Sequence, residues 1–229
     1  MKTPARAAWD WFEYPHRLRA VQDRLQRPGA KLLDVGCGNH SPSITKRHFP
    51  ALTYHGIDPA DWNRDEADAA ALDVFYRVDI EDAAALATIP DHAYDAIICS
   101  HVLEHLQSPA DATLALLQKL APGGAAYFEV PSARSLTLPR AQDGWRGIKG
   151  CLNFWDDPTH TAFVDLHAIA SRLSHEGWRV RGPFPRRMKR RLLGLPIYAA
   201  AGLALRGYIP ATVVWDAVGF AEGIVVTAR

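Results

Sequence analysis

A chain of 229 residues is within the size of one α/β domain and too short for two with independent cores. Its 48% hydrophobic and 22% charged residues are an ordinary globular balance, which excludes disordered, collagen-like and low-complexity chains. With 26 Lys and Arg against 25 Asp and Glu the formal net charge is +1, so no nucleic-acid partner is expected to bind through bulk basic charge. The first 29 residues are helical in pattern and aromatic, and end at Pro28-Gly29, as expected of a cap on a sheet. Lys31–Val35 reads as a buried strand that ends in Gly36-Cys37-Gly38, and Thr53–Asp58 as a second strand stopped by Pro59. Val74–Asp79 is a third and Tyr94–Ser100 a fourth. Pro109 opens a helix through Leu120, which Pro122-Gly123-Gly124 stops before a fifth strand at Ala125–Val130. Apolar runs alternating with helical patterns from about residue 30 to 131 predict a parallel sheet built from βαβ units.

Beyond residue 131 the rhythm breaks. Residues 132–164 read as an irregular insertion, Asp165–Glu176 as a helix, and Trp178–Val180 as a short strand. A second insertion, 183–218, is basic at Arg186–Arg191 and then apolar from Leu192 to Leu205; Gly223–Ala228 is the last strand. The apolar run is too short for a membrane span and is broken by Gly194, Pro196 and Gly202. No signal-peptide pattern opens the chain, and Cys37, Cys99 and Cys151 lack the spacing of a zinc site or a disulfide framework. A soluble protein in a reducing, cytoplasmic setting is expected, organised as one domain over 1–229.

The strand–Gly-x-Gly turn is where backbone N–H groups at a helix start can meet a ligand. Twenty residues after Gly38, Asp58 closes the next strand, where a carboxylate can accept both hydroxyls of a ribose. Three details favour S-adenosylmethionine over a dinucleotide. Ser41 stands where the dinucleotide fingerprint has its third glycine. Asp34 lies inside the first motif, where it can help to hold an ammonium group, and Asp79-Ile80 offers a polar atom and an apolar neighbour to an adenine ring.

Leu32-Leu33-Asp34-Val35-Gly36-Cys37-Gly38-Asn39 resembles the first motif of class I S-adenosylmethionine-dependent methyltransferases, and Gly56-Ile57-Asp58 their second, acidic motif. The segment from Tyr94 to Leu106 resembles the post-strand motif of their small-molecule branch, and Leu120–Gly124 the helix end before strand five. The resemblance implies a Rossmann-like α/β fold with a seven-stranded, mostly parallel sheet, helices on both faces and the last strand inserted antiparallel. It also implies that Gly36 and Gly38 approach the methionine part of S-adenosyl-L-methionine, Asp58 the ribose, and Asp79 with Ile80 the adenine. Ser100 and His101 would flank the methyl group.

Methyl transfer is an in-line displacement that needs two aligned reactants and, for an oxygen or nitrogen acceptor, a base. Asn153–His160 lies in the insertion after strand five, at the carboxyl edge of the sheet where ligands bind. His160 is the candidate base or hydrogen-bond donor, oriented by Asp157; the alternative is that both only cap the helix at 165. His101 and His105 would share a helical face if their segment is helical, and with Glu104 they offer nitrogen and oxygen ligands. Some quinone-pathway O-methyltransferases that this segment resembles use carboxylates there with magnesium; His101 stands in place of one, and no metal is expected. Trp9, Trp11, Phe12 and Tyr14, with Trp145, Phe154 and Trp155, either pack the cap or wall the site. The basic-then-apolar stretch 186–205 is either a solvated turn before a core or homodimer helix, or a membrane-surface contact. The acceptor is expected to be a small molecule methylated at oxygen, a sugar or another glycan-pathway or secondary metabolite. A scaffold of the same fold without catalysis and an NAD(P)-dependent oxidoreductase are the competing readings.

Overall fold

The structure, a computed structural model, describes Phe12 and residues 14–228; Trp9 and Trp11 of the expected cap lie outside the described residues. Of that cap, α1 (His16–Ala20) and α2 (Gln22–Leu25) are two short helices whose Leu18, Val21 and Leu25 pack against the sheet. The chain continues through β1 (Lys31–Val35), α3 (Ser41–His48), β2 (Thr53–Ile57), α4 (Glu66–Ala71), β3 (Val74–Tyr76), α5 (Ala83–Leu86) and β4 (Tyr94–Ser100). Then follow α6 (Pro109–Leu117), β5 (Leu120–Pro131), β6 (Ile148–Lys149), α7 (Leu166–His175) and β7 (Arg179–Pro185). The last elements are α8 (Lys189–Arg206), β8 (Ile209–Pro210), α9 (Ala211–Val218) and β9 (Ala221–Thr227).

Seven strands form one sheet in the order β3-β2-β1-β4-β5-β9-β7. The first five pair in parallel, and β9 runs antiparallel between β5 and β7, as the resemblance implies. Alternate residues serve opposite faces. Leu33 and Val35, Ile97 and Cys99, and Ala126 and Phe128 enter one core, whereas Leu32, Ala96, Ile98 and Tyr127 enter the other. Both faces are covered, which is why these strands read as continuous apolar runs rather than as alternating ones.

Several boundaries differ from the expected ones: β3 ends at Tyr76 rather than Asp79, β5 begins at Leu120 rather than Ala125, and β9 begins at Ala221 rather than Gly223. α6 stops at Leu117, because Lys119 turns inward to the Ile89 carbonyl at 2.9 Å and Asp91 at 2.6 Å while Leu120 already pairs with Tyr94. β7 runs on to Pro185 through a register shift between Arg181 and Phe184, so the second insertion starts after residue 185. The segment after β4 is a single 3-10 turn, Leu103–His105, and His101 lies outside it at φ 56, so His101 and His105 do not share a helical face.

The two insertions meet each other. β6 of the first pairs in parallel with β8 of the second, and Leu138, Ala141, Leu152, Ala211, Phe220 and Ala221 form a separate small core beneath them. This unit roofs the carboxyl ends of β1, β4 and β5. No helix among the described residues is long and apolar enough to cross a membrane.

Candidate active site

A cavity of about 1340 Å³ lies between the carboxyl ends of the strands and this roof. Single-ligand pockets run to roughly 300–1000 Å³, so the space suits two reactants side by side. Its walls include Asp34, Gly36, Gly38, Asp58, Asp79, Ile80, Ser100, His101, Asp157 and His160, so the candidate cofactor-binding and catalytic residues all reach one cavity.

The turns after β1, β2 and β3, expected to hold the cofactor, build one side of the cavity. Gly36 has φ 71, a left-handed conformation that glycine adopts without strain, and its N–H donates to the Ile57 carbonyl at 2.8 Å. A Cβ on Gly36 would run into the Val102 side chain, and one on Gly38 would come within 2.8 Å of the Trp62 carbonyl. The missing side chains therefore make room for this chain's own loops as well as for a ligand. Asp34 is buried, and both Ser41 Oγ and the Tyr54 hydroxyl donate to its Oδ2. Burial pushes its carboxyl up, against the pull of Arg17, Ser41 and Tyr54. Asp58 and Asp79 each accept a backbone N–H two residues on, from Ala60 at 3.0 Å and Glu81 at 2.9 Å, which fixes both carboxylates at the mouths of their strands. Ile80 is buried beside Asp79.

At the centre stands Glu129 of β5, a residue the sequence reading passed over. Ser100 Oγ donates to its Oε1 at 2.9 Å and Tyr127 Oη to its Oε2 at 2.5 Å. Arg186 Nη1 lies 3.5 Å from Oε1, and Arg186 Nε donates to buried Asp216 at 3.3 Å. His101 lies between two carboxylates: Nδ1 pairs with Glu104 Oε1 at 3.0 Å, while Nε2 stands 3.1 Å from Glu129 Oε1 without hydrogen-bond geometry. Two carboxylates facing one imidazole favour its charged form. Burial pushes its pKa down, but the two carboxylates outweigh that and raise it to about 9. Burial likewise pushes the Glu129 carboxyl up, and Arg186 with His101 more than reverses this, to well below the usual carboxylate range. His101, expected to flank the methyl group as a candidate catalytic residue, lines the cavity beside Ser100. Trp215 lies against it with ring centroids 5.0 Å apart and stacks on Phe220 at 4.3 Å.

His160 is oriented, but not by Asp157. Its Nδ1–H donates to the Phe154 carbonyl at 2.6 Å, which leaves Nε2 as the lone-pair nitrogen. The Asp157 carboxylate instead accepts from Thr159, from the backbone N–H at 2.9 Å and the hydroxyl at 2.5 Å. Because that hydroxyl spends its proton on Asp157, Thr159 Oγ1 can only accept from His105 Nδ1, 3.0 Å away. Asp157 thus orients His105 through Thr159. Neither caps the following helix: Asp165 does so, accepting from the N–H groups of His167 and Ala168.

The aromatic wall also differs from the expected one. Trp145 packs in the roof core and Phe154 against His160, with ring centroids 4.4 Å apart, while Trp155 points outward. Phe12 and Tyr14 accept hydrogen bonds through their carbonyls from Arg190. The aromatic residues that line the cavity are Trp62, Tyr208, Trp215 and Phe220. The basic run is divided as well: Arg186 and Arg190 are buried, while Arg187 and Lys189 are exposed. A carboxylate in the otherwise apolar run Ala125–Val130 was the one local signal for Glu129; nothing local marks Arg186 or Asp216 as its partners.

This sheet order, with an acid-lined glycine turn at the mouth of its parallel strands, is the Rossmann-like fold of class I methyltransferases. A family model described as "Methyltransferase domain" matches residues 10–181, and the chain belongs to that family. The ubiquinone biosynthesis O-methyltransferase of Burkholderia thailandensis is 34% identical over 116 residues, 50% of this chain and 50% of that protein. The enzyme of the same description from Marinobacter nauticus is 28% identical over 177 residues, 73% of this chain and 71% of its own length. The match thus spans about half the length of the first of these relatives. A solved SAM-dependent methyltransferase from Archaeoglobus fulgidus has a TM-score of 0.57 at 17% identity, over 99% of this chain and 100% of that one, a likeness of fold.

Proposed function

We propose that this methyltransferase acts on a hydroxyl oxygen of a small, ring-shaped acceptor in the cytoplasm. When bound, S-adenosylmethionine supplies the methyl group on an electrophilic sulfur. The residues fit it. Asp34 would hold the ammonium end, the Gly36–Gly38 turn the methionine part, Asp58 the ribose, Asp79 and Ile80 the adenine, and Ser100 the edge nearest the methyl group. The observation that carries the acceptor side is the His160 ring. Its Nδ1–H is committed to the Phe154 carbonyl, so Nε2 would take the acceptor's hydroxyl proton as the methyl group passes from sulfur to oxygen, the sulfonium leaving as the neutral thioether S-adenosylhomocysteine. His101, paired with Glu104 through Nδ1 and facing Glu129, places positive charge at the exit of β4. Trp215 and Phe220 offer a flat apolar wall to a ring and exclude water from the transfer. A sugar of a glycan pathway and a phenolic metabolite both answer to this description. The similarity to O-methyltransferases of ubiquinone biosynthesis supports oxygen as the methylated atom.

The test begins with calorimetric titration of S-adenosylmethionine and S-adenosylhomocysteine, with NADH as control. Binding of the sulfur compounds alone is expected, followed by mass-shifted product from a panel of catechols and sugars. In His160→Ala, turnover should fall by about 100-fold or more while cofactor affinity holds. Turnover within a few-fold of the parent protein would remove His160 as the base. A folded protein that binds neither sulfur compound would put the scaffold reading first.

A further inference from the structure

We propose that the acceptor carries an oxyanion, a carboxylate or a phosphate group, besides its reacting hydroxyl, and that Lys149 and Arg206 of the roof bind it. The inference deepens the methyl-transfer reading and rests on it for the identity of the ligand as acceptor. Charge in the cavity is divided between floor and roof. Of the acids that line it, Asp34, Asp58, Asp79, Glu81, Glu104 and Glu129 stand on the strand ends and the turns that follow them. Lys149 of β6, with Arg191 and Arg206 of α8, lines the roof. Asp157 is the one roof acid among the described lining residues, and its carboxylate already accepts the Thr159 N–H and hydroxyl. Arg186, a further lining cation, is taken by Glu129 and Asp216.

The β6–β8 ribbon brings the two cations to one place. Lys149 pairs in register with Pro210, and Arg206, the last residue of α8, reaches the same ribbon through the left-handed turn at Gly207. Lys149 Nζ lies 5.8 Å from the centre of the Tyr208 ring, a cation–π distance, and Tyr208 lines the cavity too. Among the described residues neither Lys149 nor Arg206 has a carboxylate partner. Cations gathered without acids raise the potential of that wall and favour an anionic ligand over its neutral analogue. The cofactor does not account for them. Its methionine part, placed beside Asp34 and the glycine turn, has Arg17 as its neighbouring cation, where Nη2 donates to Ser41 Oγ at 3.0 Å. Both roof cations are exposed, so an anion reaches them from solvent and keeps part of its water.

Binding is measured by calorimetry, with and without S-adenosylhomocysteine, using matched probes: catechol against its carboxylate derivative protocatechuate, and glucose against its phosphate ester. The charged member should bind at least about tenfold more tightly in one pair, and which pair it is tells the carboxylate from the phosphate. That advantage should shrink as NaCl rises from about 0.05 to about 0.5 M. Lys149→Gln and Arg206→Gln should each reduce it by about three- to fivefold, as exposed charges do. The double charge reversal, Lys149→Glu with Arg206→Glu, should invert it while the neutral probe binds within a few-fold of before. Lys189→Gln, which removes an exposed charge of α8 away from the cavity lining, should leave it unchanged. S-adenosylhomocysteine affinity, measured on every variant, reports folding and keeps the two readings apart: anion preference in a protein that binds no sulfur compound sinks methyl transfer alone. No binding, or no preference for the charged member, in both pairs overturns the oxyanion site. So does a preference that survives the double reversal or falls equally in Lys189→Gln. Loss of S-adenosylhomocysteine affinity in the roof variants would give the two cations to the cofactor and overturn it as well.

Discussion

Glu129 and His101 illustrate how much of the site's electrostatics is set by single side chains. Glu129 is 3% exposed and receives Ser100, Tyr127, His101 and Arg186 on two oxygens, so a neutral replacement leaves two cations short of a partner. Glu129→Gln should lower stability in urea by about 3–5 kcal/mol, the cost of breaking a buried pair from one side. The same cluster has a pH signature. His101 titrates at 6.5 when unperturbed and at about 9 in the fold, so the stability it contributes is present in full below pH 6.5. That contribution is lost as the pH rises through about 9. The thermal midpoint of the parent protein should fall across this window, and in Glu129→Gln the fall should move to lower pH. An unchanged profile would mean that the ring is not held as a cation.

Among the elements, α7 and the turn after β4 separate what local sequence decides from what it does not. Asp165 stands one residue before α7, and its Oδ1 accepts two N–H groups of the first turn, each at 3.0 Å. Asp165→Ala should cost about 1 kcal/mol, read by chemical denaturation, with cofactor affinity unchanged. Loss of cofactor binding in that variant would show that α7 matters to the site beyond its packing. The segment after β4 has a helical spacing of histidines, yet only Leu103–His105 turns. His101 is held at φ 56, a strained conformation for a non-glycine residue, with its N–H on the Glu129 carbonyl at 2.9 Å and its ring between carboxylates. Tertiary partners outweigh the local spacing there.

At the scale of the molecule, the two insertions act as one body. They share the β6–β8 ribbon and the small core around Phe220, and the Trp215 Nε1–H of the second donates to the Cys151 carbonyl of the first at 2.7 Å. Phe220→Ala should lower stability by about 3–5 kcal/mol. Because Phe220 also backs Trp215, acceptor turnover should fall in this variant while S-adenosylmethionine affinity stays within a few-fold, as calorimetry would show. Equal losses in both would mean that the roof supports the cofactor side too. The exposed Leu193, Ile197 and Leu205 of α8 lie on the outer side of this unit. With Arg186 and Arg190 turned inward, the basic run presents fewer charges to an anionic surface than its sequence suggests.

The amino-acid sequence by itself determined the strands β1 to β5, the glycine turn, and the acids at the strand ends. Each depends on local physics: apolar runs buried on both faces, proline and glycine at helix boundaries, and a backbone turn that needs φ 71 at Gly36. It also held the residues of the acceptor side, but not their partners. Asp157 adjoins Thr159 and His160 closely enough in sequence to suggest one pairing, and the fold made another, with His105 54 residues away. Glu129 and Arg186 lie 57 residues apart, and only the return of β7 beside β9 brings the arginine to the end of β5. Charge pairs in a buried site are chosen by which side chains share a low-dielectric space, and that space exists only once the insertions close over the sheet.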